Sequence, residues 1–422
     1  MSKRIVISTE GAIPRLLLVV AVSVFAVCSF FVVRWTVGSA VARNAEFKEI
    51  AEYGVSFAPS NPWTHYYWAE LLSRTFLPQD VLLAEREYEV AVSLSPQDYR
   101  LWIELGKAYE RSGKSERSEI AYRQALLLAP NYSEVQWAFG NFLLRVGKPE
   151  EGFILIGKAA STNLKYSTPA AAIAWALYDG DIEKIKPLFS GSDYLKAGLA
   201  QLLVSKSEVD AALDVWTSVE NKSAGDLKSI SDDIFHRLQE TKQFGPMVRF
   251  LALQSGQVPV IGQVMNGEFE EEIKISNQNP FDWVVNDGSD AQIGIDTAQE
   301  RDGKKQRTLA VLFKSNARKF SGVSQRIAVT PGGSYQLKVF HKSDLKFAAT
   351  FKWQIVDAKT GAIIAETEPI KQVSDWASQV VQLKIPPQSD GIVLNLVRAG
   401  CVADVCPIEG RFWVDGVVLS AN

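Results

Sequence analysis

At 422 residues the chain has room for two or three domains, and 47% hydrophobic with 22% charged residues is the balance of an ordinary globular protein. A net charge of −3 gives no electrostatic case for nucleic-acid binding.

From the N-terminus, Leu16–Val33 ("LLLVVAVSVFAVCSFFVV") runs without a charge. As a helix it is about 27 Å long, close to the thickness of a hydrocarbon core. Arg15 and Arg34 bracket it, Trp35 suits an interfacial anchor, and Cys28 inside it serves as a small hydrophobe. Ala40-Val41-Ala42 offers a small-residue cleavage site, but Arg34 and Trp35 interrupt the approach to it. The expectation is a tail over 1–14, an uncleaved transmembrane anchor over 15–35, and a linker with a first helix over 36–64. Flanking basic residues are nearly balanced, so the layout sets the orientation: one early helix followed by a long body outside the cytoplasm.

A period of 34 residues follows. Trp68 and Trp102 share the fourth position of the unit, and Leu71, Leu105 and Phe139 the seventh. Gly106 and Gly140 share the eighth, and Ala84, Ser118 and Gly152 the twentieth. Tyr88, Tyr122 and Ile156 recur at the twenty-fourth, and Ala91, Ala125 and Ala159 at the twenty-seventh. Pro96 and Pro130 close the first two units. Small residues let two antiparallel helices approach, large ones fill the groove between them, and proline ends the second helix. The units 65–98, 99–132 and 133–166 resemble tetratricopeptide repeats, which implies an α-solenoid with a concave surface for partner proteins. Over 167–256 the pattern decays into degenerate helical repeats and a cap. A weaker unit phases on Ala200, Ala212, Trp216 and Val219, and a last helix pair breaks near Gly245-Pro246.

After Gln257 the helical period disappears. A linker over 257–265 leads to short alternating runs separated by Gly, Pro, Asn and Asp, from "TLAVLFK" to "RFWVDGVVLS". Such runs predict an antiparallel β-sandwich over 266–422. The overall class is therefore multidomain α plus all-β: transmembrane helix, tetratricopeptide α-solenoid, then a sandwich.

Within the sandwich, alternation sorts the side chains. Tyr335, Leu337 and Val339 face the core, leaving Gln336, Lys338 and Phe340 on the other face. Phe351, Trp353 and Ile355 fall together in the core, and Trp283 also reads as core. Lys352 and Gln354 point outward. Asn395 opposes Ile392, Leu394 and Leu396. Arg398 ends its strand, where twist can aim it to either side. Trp376 reads as preceding a strand, a place suited to a stacking platform.

The opening "NGEFEEE…NPFDWVV" and closing "GRFWVDGVVLS", with "VTPGGSYQLKVF" and "DWASQVVQLKIP" between them, resemble jelly-roll carbohydrate-binding modules over about 266–420. The resemblance implies sugar contacts from outward aromatics, amides and a guanidinium. The matching candidates are Phe340, Gln354, Trp376, Asn395 and Arg398. It also implies a structural calcium near the terminal strands, matched by Glu268, Glu270 and Asp415. Gly416 departs from the pattern, which has a second Asp there. The whole layout resembles bacterial envelope proteins associated with exopolysaccharide biosynthesis and export.

Cys401 and Cys406 stand in a segment between two predicted strands. A metal site lacks supporting ligands, because His65, His236 and His341 are scattered. A redox pair would use closer spacing. A loop-closing disulfide fits an oxidising compartment and agrees with an outward body. No nucleophile elbow, His-Glu-x-x-His or phosphate loop occurs, so the chain reads as non-enzymatic. The expected function is an inner-membrane scaffold with a periplasmic body. Its repeats would bind envelope or export proteins, and its sandwich would bind polysaccharide. The alternative is an assembly factor that binds only proteins.

Overall fold

The computed structural model describes residues 11–75, 77–222, 225–254, 258–274, 279–286, 290–317, 319–346, 350–399 and 407–422. The chain divides into two compact units, one through Ile173 and one from Ala174.

The first unit begins with α1 (Ala12–Arg43), which is 32 residues long and apolar enough to cross a membrane. Its apolar part ends at Val33, but the helix does not. The last ten residues, Arg34–Arg43, continue for about 15 Å and pack against α2 (Lys48–Phe57). A Cβ on Gly38 would fall 2.8 Å from the Gly54 carbonyl oxygen and 2.7 Å from the Ala58 methyl, so two bare backbones set this crossing. Arg34 donates to the carbonyls of Phe57 (2.7 Å) and Ser56 (3.0 Å) at the end of α2. Within the stretch expected as a linker with a first helix, 36–64, the structure thus has the end of α1 packed against α2.

Three helix pairs follow: α3 (Pro62–Ser73) with α4 (Pro78–Leu94), α5 (Tyr99–Arg111) with α6 (Ser115–Leu128), and α7 (Ser133–Arg145) with α8 (Pro149–Thr162). Local chemistry sets their starts. Asn61 and Asp98 accept N-cap hydrogen bonds, and Pro62, Pro78 and Pro149 occupy first-turn positions. The phased residues Tyr88, Ala91, Leu105, Tyr122, Ala125, Phe139, Ile156 and Ala159 are all buried. Trp102 Nε1 donates to the Pro96 carbonyl at 2.8 Å. One unit later Gln136 Nε2 makes the same bond to Pro130 at 2.7 Å, so an amide replaces the indole.

Helix α9 (Ser167–Leu177) spans the division. The second unit then carries α10 (Ile182–Ile185), α11 (Asp193–Ser205), α12 (Val209–Thr217), α13 (Lys228–Glu240) and α14 (Phe244–Ala252). Ala200, Ala212, Trp216 and Val219 are buried here, with the Trp216 and Phe250 rings 5.6 Å apart. The expected break at Gly245-Pro246 falls earlier, at residues 241–243, because proline is tolerated in the first turn of α14. Helix α14 packs directly on the sandwich. Phe244 meets Phe281 edge-on at 6.3 Å, and Asp390 accepts from Gly245 N–H at 2.9 Å. Within the segment expected as a linker over 257–265, Gly262 N–H donates to the Ala328 carbonyl of the sandwich at 2.7 Å.

The sandwich has ten strands among the described residues: β1 (Val284–Val285), β2 (Ala291–Arg301), β3 (Lys304–Ala317), β4 (Val323–Ala328), β5 (Ser334–Lys346), β6 (Thr350–Asp357), β7 (Ile363–Glu366), β8 (Val373–Lys384), β9 (Gly391–Ala399) and β10 (Ile408–Ala421). They form two antiparallel sheets, β1-β4-β9-β6-β7 and β2-β3-β10-β5-β8. The closing strand β10 therefore lies in the middle of its sheet. Phe313, Phe351 and Phe412 stack between the sheets, with centroids 5.5 and 4.7 Å apart, and Trp353 and Trp283 extend this core. Trp376 lies inside β8, not ahead of it.

Candidate functional site

The first candidate surface is a groove of about 750 Å³ on the solenoid, bordered by Trp137, Tyr166, Lys107, Arg111, Arg145 and Glu134, among others. Trp137 and Tyr166 stack at 4.7 Å, and Lys165 Nζ lies 5.1 Å from the Tyr166 ring. Arg145 pairs with Glu110, and Lys107 with Glu104 at 2.6 Å. The arrangement is a partly apolar floor within a ring of charges. Sequence reasoning missed Trp137, although a signal existed. The phased position after Trp102 is Gln136, which is buried, so the tryptophan one residue later points away from the interior phase.

The second surface is the outer face of the sheet β1-β4-β9-β6-β7. Gln354 and Asn395 are register partners, and Asn395 also opposes Ser324. Gln354 Nε2 donates to Glu366 Oε1 at 2.7 Å, and Lys352 pairs with Glu366 Oε2 at 2.7 Å. These bonds, that of Lys352 first, hold the Glu366 carboxyl below its ordinary range. Planar amides flanked by an ion pair can hydrogen-bond hydroxyl groups. Arg398 is not part of this face. It opposes Phe351 and shares the alternation of Leu394 and Leu396, at the inner edge of the sheet, and burial pulls its pKa down.

The third surface is the outer face of the other sheet, which carries Phe340 and Trp376. Both rings are covered by Arg301 from the end of β2: its Cζ lies 4.4 Å from the Phe340 centroid and 5.9 Å from that of Trp376. Lys338 Nζ lies 4.7 Å from Phe340 as well. The five sugar-contact candidates therefore divide among two opposite faces and an edge. Alternation told inside from outside on each strand but could not assign strands to sheets.

Arg301 also organises the residues matched to calcium. Its Nη1 lies 2.5 Å from Asp415 Oδ2, and its Nη2 lies 3.7 Å from Glu268. Asp415 is fully buried at a β10 bulge, and burial pushes its carboxyl up to about 6 against the pull of Arg301, with Glu268 and Glu270 adding to the rise. The opening motif supports this corner. Asn266 binds the Glu271 backbone through both amide atoms, Trp283 Nε1 donates to the Asn266 carbonyl at 3.1 Å, and Gly267 accepts from Val417 N–H at 2.9 Å. Among the described residues no group of three His, Cys, Asp or Glu side chains is placed to hold a metal ion. The Cys401–Cys406 pairing lies outside the described residues.

No sequence-family profile and no curated protein matches the chain. Among solved structures it is similar to a CBM4 structure at 16% identity and TM-score 0.28, covering 38% of this chain and 99% of that one. A family 16 carbohydrate-binding module gives 16% identity and TM-score 0.26, covering 37% and 98%. A MamA structure gives 22% identity and TM-score 0.26, covering 30% and 69%.

Proposed function

We propose that the chain is a non-enzymatic, membrane-anchored scaffold, with its solenoid groove taking a segment of a partner protein and its sandwich binding polysaccharide. The observation that carries this reading is the solenoid groove, where Trp137 and Tyr166 stack beneath paired and unpaired charges. The sugar arm rests on the ordered motif resemblance and on the Gln354–Asn395 amide pair beside Lys352 and Glu366. In this reading α1 stays in a bacterial inner membrane, the body is periplasmic, and the partners belong to exopolysaccharide biosynthesis or export. A Cys401–Cys406 disulfide belongs to the same reading, as a loop closure.

One observation favours the alternative, an assembly factor that binds only proteins. The two aromatics expected as a sugar platform lie under Arg301. The full chain in detergent micelles on a glycan array, and against the producing organism's polysaccharide, separates the readings. The scaffold reading expects weak binding that is lost in a folded Gln354→Ala/Asn395→Ala variant. If the wild type binds no glycan while Trp137→Ala still abolishes capture of an envelope partner, the assembly factor stands.

A further inference from the structure

We infer that the Arg301 guanidinium takes the place of the structural calcium in this sandwich, and that Gly416 is the residue that admits it. Calcium needs six to eight oxygen ligands at about 2.3–2.6 Å. Here the buried carboxylate at the core of the expected ligand set, Asp415, is already committed to Arg301 Nη1 at 2.5 Å. Glu268 faces the same guanidinium at 3.7 Å, and Glu270 is near enough to act on Asp415 electrostatically. Two of the three candidate ligands, Asp415 and Glu268, thus face one cation, and that cation is supplied by the chain.

The rest of the corner is built for a planar cation rather than a sphere. Phe340 and Trp376 flank the guanidinium with π faces, which attract a delocalised cation and contribute nothing to calcium coordination. The Arg301 side chain is only 14% exposed. Its approach depends on the β2–β3 hairpin, whose turn residues Asp302 and Gly303 both have positive φ (54° and 73°) and return the chain immediately beside Arg301.

Gly416 completes the argument. It sits in the β10 bulge with φ +55°, a conformation glycine adopts without cost. A Cβ there would lie 3.0 Å from Arg301 Nη1 and 2.9 Å from Phe340 Cδ2. A side chain at 416, such as the second Asp of the related motif, would compete with Arg301 for one volume. A carboxylate at 416 and the guanidinium in its present position therefore exclude one another.

The test is amide hydrogen exchange of the full chain in detergent micelles, read on peptides covering β5 and β10, in EDTA and in millimolar calcium chloride. The wild type should show the same protection in both. Arg301→Met should lose about tenfold or more in both peptides, with or without calcium. Arg301→Met/Gly416→Asp, which restores a carboxylate that tolerates positive φ, should regain protection only when calcium is added. A tenfold rise in wild-type protection on adding calcium would overturn the inference. So would wild-type exchange in Arg301→Met, or a double variant indifferent to calcium. If Arg301→Met does not fold, the wild-type calcium comparison still decides.

Discussion

Tyr122→Ala tests whether the repeat is held together as its period implies. The ring is 1% exposed, with centroids 5.2 Å from Phe142 and 5.9 Å from Phe139. Its edge atoms lie 3.0–3.1 Å from where a side chain at Gly106 would begin, so it fills the space between α5 and α6 that the absent side chain leaves. A tyrosine buries roughly 150–250 Å², which at about 25 cal/mol per Å² is about 4–6 kcal/mol. Alanine retains part of this, and core aromatic-to-alanine changes cost about 3–5 kcal/mol. The hydroxyl adds little, because its contact with Glu110 is 3.5 Å long. Tyr122→Phe should therefore stay close to wild type. Solenoid stability sums over repeats and their nearest neighbours, so the loss should concentrate in α5–α7 and leave the sandwich unchanged. At about 1.4 kcal/mol per tenfold, exchange of the slowest amides in these helices should accelerate at least a hundredfold, measured on the full chain in micelles. Acceleration of less than about threefold, near 0.5 kcal/mol, would mean that the ring does not hold the helix pair.

The chain should stay in the membrane fraction through high-salt and alkaline washing, because α1 continues from the apolar span into the solenoid. A soluble mature chain starting near Arg43 would sink the anchor and support a cleaved signal. Two buried histidines should make the two units respond oppositely to pH. For His65, burial lowers the pKa, but hydrogen bonds from the ring to Glu87 and to the Pro59 carbonyl raise it overall. Its stabilisation is complete below about 6.5 and is lost as pH rises through the folded value. Local protection of α3 and α4, relative to intrinsic exchange at each pH, should therefore fall from pH 6 to 8, and His65→Gln should flatten that trend. Burial lowers the His341 pKa, so protection of β5 relative to a His341→Gln variant, which cancels the opposite contribution of the raised Asp415 carboxyl, should instead fall as pH drops below about 6.5. The same slope in both units would refute these assignments.

Much of the architecture was legible because its causes are local. A helix pair must place small residues where its members touch, so Gly106, Ser118 and Tyr122 announce the contact they make, and the same spacing reaches back to Gly38, 34 positions before Leu72. That last instance was obscured by the apolar run before it, which gave α1 a sufficient explanation as an anchor. The alternation of Tyr335, Leu337 and Val339, and of Phe351, Trp353 and Ile355, fixed the core face of β5 and β6 for the same local reason. Strand β2 escaped notice because it lies at a sheet edge, with half-covered positions on both faces.

Tertiary structure alone decided what those faces carry. Period-two alternation separates inside from outside but does not say which sheet a strand joins. Phe340 and Gln354 looked equivalent until β5 paired with β10 and β6 with β9. Arg301 and Asp415 are 114 positions apart and belong to no common motif. They meet because β10 inserts between β3 and β5 and a bulge at Gly416 leaves room beside a buried carboxylate. Burying that charge requires a partner cation, and which cation takes the place depends on the volume open at the bulge.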